Sequence, residues 1–285
     1  MNIYATKPRL GRKAAQALAG TLLAAMLAAL AFAFAGCAGA TSLDSPRRAE
    51  FEAALCERRA ELEERAPSTG RIHLFGETHG NAAHLGKQLE LWRDFYENDG
   101  MRHLFLEMPF FTAGFLNEWM RDDGDDIFDA VFADLRGTLA HNPHAKEFLR
   151  RIKAELPETV FHGTDVGHQY WSTGARFLAH LRESGQESGE TYLLALENIE
   201  QGRMYYDYRM NVSARADMMA VNFIRAFDAL GGESVMSAFH GAQHVAFGRY
   251  SRRGGRGATL ATQLRARYGD NLGATLLRDI VGGSD

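Results

Sequence analysis

Cysteine is scarce in this chain, with two copies among 285 residues. So few thiols exclude a disulfide-rich scaffold, and the fold must be stabilised by a hydrophobic core. An excess of basic residues is also lacking, because the formal net charge is −4. A protein that binds nucleic acid needs a basic surface for the phosphates, so this class of partner is not expected. Internal repeats and low-complexity segments are absent too, which excludes a repeat array.

The first 36 residues have the pattern of an export signal. Basic residues without any acid open the chain, an apolar run rich in Ala and Leu spans residues 14–36, and Phe34-Ala35-Gly36-Cys37 follows. This last stretch resembles the bacterial lipobox, with Phe34 where Leu is usual. The Cys37 thiol would then take up a diacylglycerol. A plain transmembrane anchor is the alternative, because the apolar run is nearly long enough to span a bilayer.

Lipidation at Cys37 would tether the protein to a membrane. The pattern predicts a lipoprotein signal peptide at 1–36, a small polar tether at 37–47 and a domain at 48–285. Removing residues 1–36 takes away four basic residues and no acid, so the formal charge becomes −8. Ala38 stands where Asp would mark inner-membrane retention, so the predicted location is the outer membrane of a bacterial envelope, facing the periplasm. Cys56 is then the one other thiol, which excludes an intramolecular disulfide.

Short apolar runs alternate with helical patterns from residue 71 onwards. Runs buried on both faces are typical of parallel strands covered by helices. The alternation predicts a single α/β domain with a mainly parallel central sheet flanked by helices. The predicted strands are Arg71–Phe75, His103–Met108, Thr159–His162, Ser234–Phe239 and Ala274–Val281. The predicted helices are Arg48–Arg65, Ala82–Asn98, Thr112–Met120, Ala145–Leu156, Thr173–Glu183, Glu190–Met210, Ala214–Leu230 and Thr259–Tyr268, with 121–126 and 251–257 as exposed loops.

Ionisable side chains follow four of these strands. The segments are Gly76-Glu77-Thr78-His79-Gly80, Glu107-Met108-Pro109, Gly163-Thr164-Asp165 and His240-Gly241-Ala242-Gln243-His244. The carboxyl ends of parallel strands meet at one edge, where open α/β sheets bind ligands, so these groups are expected to share a cleft. The predicted catalytic residues are Glu77, His79, Glu107, Asp165 and His244.

Two kinds of chemistry suit this set of residues. Carboxylates that lie close together raise one another's proton affinity, so one can be protonated near neutral pH while an imidazole acts as acid or base. Alternatively, a divalent metal such as Mn or Zn activates a water. The metal ligands would then be Glu77, His79, Glu107 and His244. The sequence does not choose between these two mechanisms.

Five further residues are predicted to bind the ligand. His84 lies one turn into the helix that follows the first motif, and His240 lies at the end of a strand. Arg215 would pair with the carboxylates and keep several of them ionised. Tyr205 and Tyr206 belong to an aromatic-rich segment that would line a pocket mouth. The alternative for each residue is an ordinary role in packing, capping or surface charge.

Taken in order, these motifs resemble the superfamily of erythromycin esterases, ChaN haem-binding lipoproteins and Tiki/TraB proteins. The order and the placement at strand ends agree over most of residues 70–250. Gly-Ala-Gln-His stands here where many esterase-like relatives have His-Asn-x-His. The matching segments are Gly76-Glu77-Thr78-His79 with His84 and Gln88, Leu106-Glu107-Met108, Gly163-Thr164-Asp165, the Arg-x-x-x-Met-Ala-x-Asn stretch from Arg215 to Asn222, and Gly241-Ala242-Gln243-His244.

The resemblance implies an α/β fold with a shared cleft. Esterase-like relatives hydrolyse with a His and Glu pair, so His79 and Glu107 would be base or orienting residues, and His244 a further site residue. Tiki-like relatives use a divalent metal at similar positions, and ChaN-like lipoproteins bind haem. The predicted function is therefore an envelope lipoprotein that hydrolyses an ester or amide bond of a small molecule, with or without a metal. The alternative is a haem- or iron-binding uptake lipoprotein without catalysis.

Overall fold

The ionisable residues of the four motifs lie on the strands of the central sheet or in the segments that directly follow them. The structure is a computed structural model that describes residues 46–250 and 257–281. Its strands are β1 (Ile72–Glu77), β2 (His103–Pro109), β3 (Val160–Asp165), β4 (Val235–Gly241) and β5 (Leu272–Leu276). All neighbours pair in parallel, in the order β3-β2-β4-β1-β5. The predicted signal peptide, Cys37, the tether up to residue 45 and residues 251–256 of the predicted loop lie outside the described residues.

Helices flank this sheet on both faces. They are α1 (Pro46–Glu64), α2 (Ala82–Asn98), α3 (Phe110–Arg121), α4 (Asp126–Asp134), α5 (Pro143–Glu155), α6 (Ala175–Glu183), α7 (Glu190–Tyr206), α8 (Val212–Asp228), the short α9 (Ala242–Val245) and α10 (Leu260–Tyr268). A π-helical turn, Tyr170–Gly174, leads into α6. Among the described residues, no helix combines the length and apolar character that crossing a bilayer requires.

Strand residues alternate between two apolar cores. Leu104 and Leu106 of β2 join Trp92 of α2 in the core on one face. Phe105, between them, points to the other face and packs on Phe223 of α8, with ring centroids 4.6 Å apart. This period of two buries both faces of the strand, which explains the nearly continuous apolar run in the sequence.

The strand register places the motif residues at a common level. Glu77 at the end of β1 pairs with Gly241 at the end of β4, and Pro109 of β2 pairs with Asp165 of β3. Since β4 lies between β1 and β2 in the sheet, the ends of these strands meet at one edge. The predicted convergence of the strand ends is therefore present.

The predicted α/β fold with a parallel sheet is confirmed, with differences at several element ends. The last strand is Leu272–Leu276 and does not continue to Val281, because a 3-10 turn at Leu277–Asp279 ends it and buries Leu277. The helix predicted to reach Met210 ends at Tyr206. Helix α4 is missing from the prediction, although Phe128, Val131 and Phe132 recur at helical spacing directly after the charged segment.

Candidate active site

A cavity of about 320 Å³ opens at the carboxyl edge of the sheet. Its polar wall contains four of the five predicted catalytic residues, together with Arg215 and Tyr206 from the predicted binding set. Its apolar wall is formed by side chains such as Leu85, Met108 and Leu139. The four catalytic candidates on the wall are Glu77, His79, Glu107 and Asp165. A volume of this size lies at the small end of the range for small-molecule sites, about 300–1,000 Å³.

Glu77 and His79 form a hydrogen-bonded pair on the cavity wall. Glu77 Oε1 lies 2.9 Å from His79 Nδ1, and Gln88 Nε2 donates to Glu77 Oε2 at 2.5 Å. The carboxylate is almost wholly buried, whereas the side chain of His79 is 29% exposed. A carboxylate only accepts hydrogen bonds, so Nδ1 carries the proton and Nε2 has the lone pair. The arrangement therefore presents a base whose tautomer is set by a buried carboxylate.

Two features fix the pair in place. Gln88 Oε1 accepts a hydrogen bond from the backbone N–H of Phe239 at 2.9 Å. Phe239 has φ 63°, in the left-handed region that non-glycine residues rarely adopt, and the pairing of β1 with β4 is irregular next to it. This turn takes the Phe239 N–H out of the strand ladder and aims it at Gln88. Backbone strain of this kind is characteristic of functional sites.

The hydrogen bond with Glu77 raises the pKa of His79 above its ordinary value, although burial acts in the opposite direction and Glu107 adds to the rise. His79 Nε2 lies 3.0 Å from the point where a Cβ at Gly241 would stand. Any other residue at position 241 would place its Cβ against the imidazole ring of His79, so a glycine is needed here for the ring to keep this position. The nitrogen that can take a proton therefore lies directly above the end of β4.

Arg215, at the start of α8, lies between two buried carboxylates. Its Nη2 donates to Glu107 Oε1 at 2.7 Å, and its Nε donates to Asp165 Oδ1 at 2.9 Å. Burial would raise the pKa of Asp165, but Arg215 and His168 outweigh it and hold that pKa well below the ordinary value. Burial is likewise outweighed at Glu107, where His244 and Arg215 lower the pKa. Both acids are therefore ionised at neutral pH.

Glu107 also holds the end of β4. The backbone N–H of Gly241 donates to Glu107 Oε2 at 2.7 Å. His244 Nε2 lies 3.4 Å from Glu107 Oε1, and His244 Nδ1 lies 2.6 Å from the hydroxyl of Tyr250. His244 is fully buried and contacts the cluster from behind, without lining the cavity. The structure thus places this predicted catalytic residue as a support of Glu107.

Three residues of the predicted binding set lie outside the cavity lining. His84 accepts the backbone N–H of Thr78 at Nδ1, at 2.9 Å, and so shapes the loop that carries His79. His240 is fully buried, with Nε2 3.2 Å from the hydroxyl of Thr164. Tyr205 packs against a cluster of methionines at the end of α7. The structure therefore shows these three residues shaping a loop, enclosed beside Thr164 and packed against methionines, and not at the predicted contact with a ligand.

Sequence reasoning missed two residues that complete the site. His168 lines the cavity, and its Nε2 lies 2.6 Å from Asp165 Oδ2. Its position three residues after a strand-end aspartate was a usable signal. No comparable signal in the sequence pointed to Tyr250. It lies in a loop six residues after His244, and its contact with that residue depends on how the loop folds back.

A divalent metal does not fit the donors as arranged. Within residues 46–250 and 257–281, no three His, Cys, Asp or Glu side chains are placed to hold one ion. Both oxygens of Glu107 are engaged, one by Arg215 and one by the Gly241 N–H. The guanidinium of Arg215 already supplies the positive charge between Glu107 and Asp165. The predicted metal set of Glu77, His79, Glu107 and His244 is therefore not assembled around a common point.

Comparisons with known proteins bear on the fold. No protein-family model matches the chain, and no curated protein matches it in sequence. Among solved structures, the chain is similar to a His-to-Asn mutant of the erythromycin esterase EreC in its open conformation. The TM-score is 0.54, and the sequences are 15% identical over 82% of this chain and 73% of that one. A Bacillus cereus protein gives a TM-score of 0.47 and 12% identity over 72% of this chain and 65% of its own. The likeness to EreC shows that the chain has the erythromycin esterase-like α/β fold.

Proposed function

We propose that this protein hydrolyses an ester or amide bond of a small molecule, with His79 as the general base. The observation that carries the proposal is the pair of His79 and Glu77 on the cavity wall, 2.9 Å apart. An imidazole whose second nitrogen is held by a carboxylate is the usual arrangement for removing a proton from an attacking group. The likeness in fold to an esterase supports the same reaction class.

In the proposed reaction, His79 Nε2 removes a proton from a water molecule that attacks the substrate carbonyl. Arg215 is the only Lys or Arg among the described residues that line the cavity. Its guanidinium is held by Glu107 and Asp165 and so needs no rearrangement to stabilise the developing oxyanion. The apolar wall, with Leu85, Met108 and Leu139, would hold the apolar part of the substrate.

The test is hydrolysis of a panel of esters and amides by the purified full-length chain and by two variants. His79→Ala should lower kcat/KM by about a hundredfold or more, because general-base catalysis contributes about 10²–10⁴ in rate. Glu77→Gln should lower it less, because the imidazole remains. The matched control is His144→Ala, which removes an exposed histidine outside the cavity lining. Turnover that is equal in the wild type and in His79→Ala would rule the proposal out.

The haem-binding alternative stays a prediction of the sequence. The hydroxyl of Tyr206, a natural axial ligand, is engaged with His168 Nδ1. A titration with haem distinguishes the two functions, since coordination gives a Soret shift that should be lost in Tyr206→Phe. No such shift is expected for a hydrolase.

We also propose that Cys37 carries the lipid that anchors the protein to the bacterial envelope, facing the periplasm. The support is the sequence pattern of residues 1–37 alone. Mass spectrometry of the mature protein should find Cys37 at the N-terminus with a diacylglycerol on its thiol, and Cys37→Ser should abolish this modification. Cys56→Ser, the matched control within the folded domain, should leave the modification unchanged. A wild-type protein that keeps residues 1–36 and carries no lipid would favour the transmembrane alternative.

A further inference from the structure

A second hydrogen-bonded chain ends in the cavity, formed by Asp165, His168 and Tyr206. Asp165 Oδ2 lies 2.6 Å from His168 Nε2, and His168 Nδ1 is hydrogen-bonded to the hydroxyl of Tyr206. The aspartate is buried and fixed by Arg215, the histidine is half-buried, and Tyr206 is 44% exposed. His168 and Tyr206 both line the cavity together with His79. These hydrogen bonds thus connect a buried carboxylate to a partly exposed tyrosine at the cavity.

The residues of this hydrogen-bonded chain lie on three elements other than those that carry Glu77 and His79. Asp165 ends β3, His168 lies in the following loop, and Tyr206 is the last residue of α7. The rings of His168 and Tyr206 meet edge to face, with centroids 5.7 Å apart. Asn198, also on α7, donates to the backbone carbonyl of Asp165 at 2.8 Å and ties that helix to the strand end. The helix that carries Tyr206 is therefore tied to the strand end that carries Asp165.

We propose that Tyr206 is the general acid that protonates the leaving group, with His168 and Asp165 as its positioning residues. This inference rests on the proposed hydrolysis. Hydrolysis by water needs two proton transfers, one from the water and one to the leaving oxygen or nitrogen. His79 is paired with Glu77 and serves the first transfer, and a separate proton donor that lines the same cavity can serve the second.

The proton balance of the proposed step closes without any further reagent. When His168 carries a proton on each nitrogen, Nε2–H donates to Asp165 and Nδ1–H donates to Tyr206, which leaves the tyrosine hydroxyl free to donate into the cavity. As the bond between the carbonyl carbon and the leaving atom breaks, that atom takes the hydroxyl proton, and Tyr206 takes the Nδ1 proton of His168. His168 is reprotonated from solvent, while His79 releases to solvent the proton it took from water.

The properties of Tyr206 agree with an acid and not with a permanently ionised nucleophile. Burial raises the pKa of Tyr206 to about 12, with Arg215 acting against the rise and Asp165 adding to it. The phenol therefore keeps its proton at neutral pH. A donor at this position assists only those leaving groups that are too basic to depart unprotonated.

The experiment compares two esters of the same acid, a p-nitrophenyl ester and an ethyl ester, as substrates of the full-length chain. The p-nitrophenolate leaves without help from an acid, whereas ethoxide does not. Tyr206→Phe should lower kcat/KM for the ethyl ester by about a hundredfold and for the p-nitrophenyl ester by less than about tenfold. His168→Gln should show the same preference to a smaller degree. Tyr192→Phe, on the same helix but outside the cavity lining, is the matched control and should change neither rate.

Other outcomes would separate this inference from the proposed function. An equal loss on both esters in Tyr206→Phe would mean that the hydroxyl has only a structural role, and the inference would be wrong. A covalent acyl adduct on Tyr206, seen by mass spectrometry of the intact protein, would make it a nucleophile and overturn the assignment. His79→Ala should lower the rate for both esters, because the general base acts on the water whichever group leaves. A wild-type protein that hydrolyses neither these esters nor any other substrate of the panel would refute the proposed hydrolysis itself, and the inference with it.

Discussion

His79 Nδ1 lies 2.9 Å from Glu77 Oε1, and Gln88 donates a hydrogen bond to the other oxygen of that carboxylate, Oε2. The hydrogen bond between His79 and Glu77 is the largest contribution to the raised pKa of His79, and burial opposes it. A general base works when it is deprotonated, so activity should rise as the pH rises through the pKa of His79. The acidic limb of the kcat/KM profile should therefore lie above the ordinary histidine pKa of about 6.5.

Replacing Glu77 tests this assignment directly. In Glu77→Gln the carboxylate charge is gone, so the pKa of His79 should fall and the acidic limb should move to lower pH. The plateau rate should fall as well, because the neutral amide stabilises the imidazolium less. A pH–rate profile of both proteins on a single activated ester measures the two effects. An unchanged acidic limb in the variant would show that His79 is not the titrating base.

The absence of a Cβ at Gly241 leaves space for the imidazole ring of His79. A Cβ at position 241 would stand 3.0 Å from His79 Nε2, so Gly241→Ala should displace the ring by a few tenths of an ångström. The backbone at Gly241, with φ −60° and ψ 140°, suits alanine, so stability should hardly change. We expect kcat/KM to fall about tenfold, since catalysis depends on the distance between reacting atoms. Gly86→Ala, where a Cβ meets nothing within 4 Å, is the control and should keep full activity.

The sequence predicted the convergence because strand ends in a parallel sheet must share an edge. Glu77, Glu107 and Asp165 each follow an apolar run, and each is on the cavity wall. The sequence could not separate His240 from His244, because both lie at the end of the same predicted strand. Both are fully buried, and only the structure shows that His240 contacts Thr164 whereas His244 contacts Glu107. The sequence also contained no indication that Phe239 adopts a left-handed backbone conformation, because bulky apolar residues rarely have a positive φ.

Arg215 balances two buried carboxylates, so its removal should destabilise the fold. Arg215→Met leaves Glu107 and Asp165 buried without their cation, and breaking such a pair costs about 3–5 kcal/mol. Urea unfolding at pH 7 measures the loss. Adding Asp165→Asn to Arg215→Met should recover part of it, because one unpaired charge is removed. Arg121→Met, at an exposed ion pair with Glu118, should change stability by less than about 1 kcal/mol.

His240 should make the fold sensitive to mild acid. Burial lowers the pKa of His240 to about 4, against partly compensating effects of Glu107 and Asp165. The folded state therefore holds this imidazole neutral, while the unfolded chain takes up a proton below about pH 6.5. Stability should be fully present above pH 6.5 and fall as the pH decreases towards 4, by a total on the order of 3 kcal/mol from this residue.

Urea unfolding between pH 4 and 7 compares the wild type with His240→Asn and with His144→Asn, an exposed histidine. His240→Asn should lose part of the pH dependence between 6.5 and 4, even though its stability at pH 7 is lower. His144→Asn should keep the wild-type dependence. Part of the acid sensitivity will remain in every protein, because the lowered pKa values of Glu107 and Asp165 add a further loss below about pH 4. A His240→Asn curve parallel to the wild type from pH 6.5 to 4 would mean that the imidazole takes up its proton equally well in the folded state.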